Sequence, residues 1–189
     1  MFKRVAIFTL TVLILQSLLF AAMARAGTFE FQAKQVGSAE VWKYTSTAAF
    51  GEKLSSHLGW TGFVLSSNTW GEAYVGPTYS PKSWLTVATC IGVEEDAQIS
   101  RFAAWYYLSN GNWSLFHVME DGGSGRWHKL LASYDFGRGK VQYWDQDGLG
   151  RGPRLEVNLP GNKVQAKVYV SILWDGDQTN QAVGLIKSF

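Results

Sequence analysis

From residue 84 to residue 189 apolar and polar side chains alternate in short runs separated by turn residues. A period of two belongs to strands whose successive side chains point to opposite faces. The pattern predicts strands at 84–93, 99–108, 112–119, 127–136, 140–145, 150–159, 164–174 and 180–189. Upstream, residues 60–79 keep Phe63, Leu65, Ala73, Val75 and Tyr79 on one parity and read as one long strand, preceded by another at 41–50. Ten strands is the preferred total, with eight or twelve open, because residues 28–36 read equally as a further strand or as a strap. No helical apolar period occurs between residue 27 and the end.

Each predicted strand has one apolar face. Leu85, Val87, Ile91 and Val93 oppose Thr86, Ala88, Cys90 and Gly92, while Val164, Ala166, Val168, Val170 and Ile172 oppose Lys163, Gln165, Lys167, Tyr169 and Ser171. Arg101, Lys129, Asp135, Arg154, Glu156 and Lys167 fall on the polar parity, so in a closed sheet they point into a lumen and pair there. Trp84, Trp113, Trp127, Trp144 and Trp174 lie near strand ends, as an interfacial girdle does. A β-sandwich produces the same alternation with the apolar set turned inward. The direction taken by the 164–172 face separates the two architectures.

Turns supply the topology. Ser80–Ser83, Ser109–Asn112, Gly137–Lys140 and Pro160–Lys163 are tight and neutral to basic. Between them come looser acidic segments: Glu94–Asp96, Glu120–Gly123, Asp145–Gly148 and Asp175–Asp177. In an up-and-down meander this alternation gathers the basic turns at one end and Glu94, Glu95, Asp96, Glu120, Asp121, Asp145, Asp147, Asp175 and Asp177 on the other rim. The fold class is therefore all-β, an up-and-down antiparallel transmembrane β-barrel.

Residues 1–26 combine Lys3 and Arg4, a long apolar run and the triplet Ala24, Arg25, Ala26, which reads as a cleaved secretory signal peptide. Residues 27–189 then suit one barrel domain. The single cysteine, Cys90, excludes an internal disulfide framework and is expected to be buried. A formal charge of +2 without a basic run argues against nucleic acid as a partner. Nine Trp and twenty Gly favour strands and turns.

The last ten residues, Asn180–Phe189, alternate and stop on an aromatic. This segment resembles the closing strand of small bacterial outer-membrane β-barrel proteins, although Lys187 stands where the usual pattern carries a second aromatic. The resemblance implies location in the cell outer membrane, recognition of Phe189 by the barrel-assembly machinery, and contact with outer-membrane lipid and lipopolysaccharide.

Candidate chemistry is sparse. None of His57, His117 and His128 stands in the His-x-Ser-Asn pattern that outer-membrane acyl hydrolases share, and His128 and Ser133 have opposite parity, so no catalytic residue is assigned. Asp121 near His128 resembles the acid and histidine pairs of surface proteases, but a single such pair in a loop assigns no activity. Asp145 and Asp147, in Asp145–Gly150, have the alternating carboxylates and glycine of a divalent-cation loop, with Ca²⁺ the expected ion, but lack a distal Glu. A barrel this narrow is filled by its side chains. The function read from the chain is that of an outer-membrane barrel with a structural or interaction role and no wide pore. The alternatives are a secreted β-sandwich that binds carbohydrate through Trp residues and a barrel enzyme acting on lipid.

Overall fold

The structure, a computed structural model, describes residues 27–38, 42–96, 99–161 and 165–189. The expected signal peptide lies outside the described residues. Twelve strands form: β1 (Gly27–Gln35), β2 (Lys43–Lys53), β3 (Leu58–Ser67), β4 (Gly71–Lys82), β5 (Leu85–Glu94), β6 (Ser100–Asn110), β7 (Trp113–Gly122), β8 (Gly125–Asp135), β9 (Gly139–Gln146), β10 (Gly150–Asn158), β11 (Gln165–Asp175) and β12 (Gln178–Ser188). Each pairs antiparallel with its sequence neighbours, and β1 pairs with β12 from Thr28↔Ser188 to Gln35↔Gln181, which closes the barrel. At this seam the Phe189 N–H donates to the Gly27 carbonyl at 3.0 Å.

Twelve strands replace the preferred ten for two reasons. Residues 27–35 are a full strand and not a strap. Residues 60–79 are not one strand: the chain reverses at Asn68–Trp70 between β3 and β4. Ser67 builds that turn, because its hydroxyl accepts from the N–H of Thr69 at 3.2 Å and of Trp70 at 2.9 Å while its own N–H donates to the Trp70 carbonyl at 2.8 Å. The run Ser66-Ser67-Asn68-Thr69 carries this signal without glycine or proline.

The side chains alternate as expected, and the apolar set points outward. Val168, Val170 and Ile172 are 38, 55 and 50% exposed, whereas Tyr169, Ser171 and Leu173 between them are 2, 5 and 0% exposed. Val164, at the start of the deciding face, lies outside the described residues. A closed barrel with this polarity replaces the β-sandwich alternative. Trp84, Trp113 and Trp174 are exposed on the outer surface, but Trp144 is fully buried in the lumen and Trp127 lines it. Both belong to the inward parity, Trp144 with Gln142 and Gln146 and Trp127 with Lys129, so parity overrides position near a strand end.

The acidic connections do fall at one end, yet they are no looser than the others. Only Gly123 and Ser124 join β7 to β8, and Gly176 and Asp177 alone join β11 to β12. Gly176 adopts φ 58°, as does Gly111 at the opposite end with φ 59°, and this left-handed backbone lets two residues reverse a strand.

Two inward tyrosines lie across glycines on the neighbouring strand. Tyr169 of β11 covers its register partner Gly184, and Tyr74 of β4 covers Gly92, where a Cβ would stand 2.6 Å from Tyr74 Cδ1. Ring burial therefore requires the missing side chain. Gly184→Ala is expected to lower unfolding free energy by about 1–3 kcal/mol through overpacking, whereas Gly161→Ala, with nothing within 4 Å of the new methyl, leaves it unchanged. Urea unfolding of the detergent-solubilised barrel measures the difference.

Candidate functional site

Register brings an ionic cluster to the acidic end of the lumen. Glu72 stands opposite Glu94, Gly92 opposite Arg101, and Ala103 opposite Glu120, so four inward positions on β4 to β7 converge. Arg101 Nη1 meets Glu94 Oε2 at 2.9 Å, Nη2 meets Glu120 Oε2 at 3.2 Å, and Nε lies 3.5 Å from Glu72 Oε2. Its guanidinium also donates to the Ser124 hydroxyl and sits 5.6 Å from the Trp70 ring centre. The Tyr74 hydroxyl donates to Glu120 Oε2 at 3.2 Å and stands 3.3 Å from Glu72 Oε2. The Arg101 side chain is 2% exposed, so three carboxylates depend on one cation out of water.

This corrects the expected rim. Glu94 and Glu120 do not repel other carboxylates in solvent but turn into the lumen, where each is bound by Arg101. They share parity with Cys90 and with Val118, and that signal identifies them as inward. Cys90 is a free, buried thiol, as expected.

A second cluster occupies the opposite wall. Glu156 accepts from Arg154 Nη2 at 3.3 Å and from Lys167 Nζ at 3.1 Å. The Arg154 guanidinium lies 3.6 Å from the Tyr169 ring centre and 5.2 Å from that of Trp144, and Lys129 Nζ also lies 5.2 Å from the Trp144 ring centre. Tyr169 donates to Glu30 and accepts from Gln32 Nε2 at 2.9 Å, tying β11 to β1 over the intervening β12. Of the six charges expected inside, Arg101, Arg154, Glu156 and Lys167 are ion-paired there. Lys129 uses an aromatic face, and Asp135 sits half-exposed at the end of β8, 4.0 Å from Lys140.

Between the clusters, at the acidic end, lies a cavity of about 380 Å³ lined by Gln32, Lys34, Lys43, Thr45, Trp127 and Lys129, with Glu72 and Glu120 on its other side. A second concavity, of about 1140 Å³, lies on the outer surface. Val75, Ile91, Phe102 and Met119 line it, with His117, His128 and Asp147 at one end.

The remaining sequence candidates are dispersed. His128 Nε2 meets Asp147 Oδ1 at 3.3 Å, and the His128 N–H donates to Asp147 Oδ2 at 2.9 Å. Asp147, not Asp121, is thus the partner of His128; Asp121 faces Arg126 at 3.6 Å. Asp145 lies on β9 with outward parity, opposite Leu130 and Arg151. Among the described residues no group of three or more His, Cys, Asp or Glu is placed to hold a metal ion. Ser133 is buried in the lumen and bound by Gln142 at 2.8 Å, on the other side of the sheet from His128. His57 stands apart at the β2–β3 turn, 2.9 Å from the Ser80 carbonyl. Parity alone did not reveal that His117 and His128 approach each other, with ring centres 5.8 Å apart.

No family model and no curated protein matches the chain. Among solved structures it is similar to engineered mutants of a Rhodopseudomonas blastica porin. One is 9% identical with a TM-score of 0.43, and another is 12% identical with a TM-score of 0.36. Each alignment covers 87% of this chain and 99% of that porin. At that identity and superposition the likeness adds nothing to the topology that strand pairing defines.

Removing the central cation should be severe. Arg101→Met leaves Glu72, Glu94 and Glu120 buried without a counter-charge and is expected to cost about 3–5 kcal/mol of unfolding free energy. Arg101→Met combined with Glu94→Gln and Glu120→Gln should recover a large part of that loss in the same urea titration.

Proposed function

We propose that the chain is a bacterial outer-membrane barrel with a structural or interaction role and no wide pore. The observation that carries this reading is the inverted polarity of the sheet. Val157, Val168, Val170, Ile172, Val183 and Leu185 cover the outside, while Arg101, Arg154, Glu72, Glu94, Glu120 and Glu156 are buried inside. In water that arrangement exposes apolar surface and desolvates charge, both unfavourable. In lipid it is the stable one, because closure leaves no strand edge unpaired and the charges neutralise one another away from the hydrocarbon.

A structural role follows from how the interior is occupied. Trp144, Tyr169, Leu149 and Leu173 fill one side of the lumen, and Tyr74, Cys90 and Ala103 with the Arg101 cluster fill the other. Salt-bridged side chains join nearby strands within each wall and occupy the lumen beside them, and this supports a sealed barrel over a diffusion channel. Outer-membrane lipid and lipopolysaccharide would face the outer belt, and Phe189, at the seam with β1, would be the residue read during assembly.

One observation favours an enzyme acting on lipid instead. The His128–Asp147 pair and His117 stand at the polar end of the outer apolar groove, within reach of an acyl chain lying there. Its hydroxyl-bearing lining residue is Thr89, and no serine or cysteine on the outward parity joins it. Acyl release from phospholipid by the folded protein, abolished by Asp147→Asn, would establish that reading in place of the structural one.

Three measurements test the proposal. The mature protein is expected to co-fractionate with outer membranes and to migrate faster on gels unheated than boiled. Recovery in the soluble fraction overturns the location. In planar bilayers it is expected to give no large steady conductance steps, and porin-sized steps would overturn the sealed lumen. Deleting Phe189 is expected to reduce membrane assembly more than deleting Gly123 from a two-residue turn, and equal yields would remove the role assigned to the terminal aromatic.

A further inference from the structure

Lys34 and Lys43 are register partners on β1 and β2, and both point inward at the acidic end of the lumen. Like charges directly opposite on neighbouring strands oppose pairing. Lys129, on β8, faces the same cavity, and Lys34 lies in the electrostatic field of both other lysines. Elsewhere in this barrel inward cations find carboxylates: Arg101 contacts three, Arg154 and Lys167 share Glu156. Among the described residues, no carboxylate oxygen stands within 4 Å of Lys34, Lys43 or Lys129, and the close contact of Lys129 is the Trp144 ring. Glu30 lines the same cavity and attracts Lys129 from beyond ion-pair distance, so the fold gathers three cations around a cavity with no carboxylate in close contact, and Lys34 and Lys43 face each other without one.

We infer that this cavity binds a small organic polyanion, with its anionic oxygens held by Lys34, Lys43 and Lys129. The volume, about 380 Å³, lies within the range of small-molecule sites. Thr45 and Thr47 add hydroxyls beside Lys43, and Gln32 an amide beside Lys34, all on the inward rows of β1 and β2. Charge-assisted hydrogen bonds from ammonium groups to phosphate or carboxylate oxygens are the strong kind, and a ligand with two or more negative charges relieves the mutual repulsion of the lysines. Across the cavity Trp127 offers a flat apolar wall. Glu72 and Glu120 stand behind it, compensated by Arg101, and present acceptors to ligand hydroxyls. A phosphorylated sugar and a polycarboxylate share the required chemistry, and the test separates them.

The inference requires the folded barrel, not its location. Full-length mature protein, folded in detergent and checked by its mobility shift on boiling, is titrated calorimetrically with glucose 6-phosphate, citrate, glucose and spermidine. Saturable binding of glucose 6-phosphate or citrate is expected, with no heat of binding for glucose or spermidine. Binding only glucose 6-phosphate assigns a phosphorylated sugar, and binding only citrate a polycarboxylate. Lys34→Gln with Lys43→Gln is expected to weaken binding about tenfold or more, while Lys82→Gln, at the opposite end of the barrel, leaves it unchanged. Should the double variant fail to fold, Lys43→Gln alone, whose side chain is exposed at the mouth, carries the comparison. Absence of saturable binding by either anion, undiminished binding in the lysine variants, or binding of spermidine in their place overturns the inference. A protein that binds the anion yet fractionates outside the outer membrane refutes the proposed location and leaves this site standing.

Discussion

Closure of β1 onto β12 is the constraint from which the other features follow. Once every strand has a neighbour on both sides, the backbone hydrogen bonds are satisfied within the sheet itself. The faces are then free to choose their own environments. The outward face becomes apolar without a hydrophobic core beneath it, and the inward face accepts Arg101 and Arg154 because each meets a carboxylate across a few ångströms. In an open sheet the same sequence would leave both a sticky edge and unpaired inward charges.

The interior is divided by sign as well as by position. Around Arg101 carboxylates outnumber the cation, and at the Lys34 and Lys43 mouth cations outnumber carboxylates. The two sets do not cancel through direct contacts, because Glu72 and Glu120 are held by Arg101 on β6 on the far side of the cavity that they share with the lysines. Tyrosine rings set over Gly92 and Gly184 take part in this division. Each needs a neighbour without a side chain, and each carries a hydroxyl to a glutamate beyond it: Tyr74 to Glu120, Tyr169 to Glu30.

Much of this architecture was legible in one dimension. After residue 84 each strand is bounded by Gly, Pro, Asn or Asp, so strand positions and inward parity both emerge from the chain; Arg101, Arg154, Glu156 and Lys167 point where alternation puts them. The failure at 60–79 has a physical cause. Ser67 makes its turn with a hydroxyl, and a serine hydroxyl serves equally well on a strand. Assigning Trp127 and Trp144 to an outer girdle placed the strand-end preference of tryptophan above parity. The pairing of Glu156 with Arg154 and Lys167 was within reach of parity, but the carboxylate partners of Arg101 were not. Glu72, Glu94, Arg101 and Glu120 come from four strands, and only register, set by turn lengths that differ by a residue or two, brings them together. The pairing of His128 with Asp147 over Asp121 was hidden for the same reason.

The seam also dictates an order of events. The Tyr169–Glu30 bond joins residues 139 positions apart, and the β1–β12 ladder spans the largest separation that the sheet contains. Closing so long a loop is entropically the most demanding step, and topologies dominated by such distant contacts fold slowly. Until β12 arrives, β1 keeps an open flank and Glu30 lacks its phenol. The hydroxyl of Tyr169 therefore works as a latch that engages at the end. A chain halted after eleven strands has most of its neighbour pairings and none of its seam, so it is still a ribbon with two open edges.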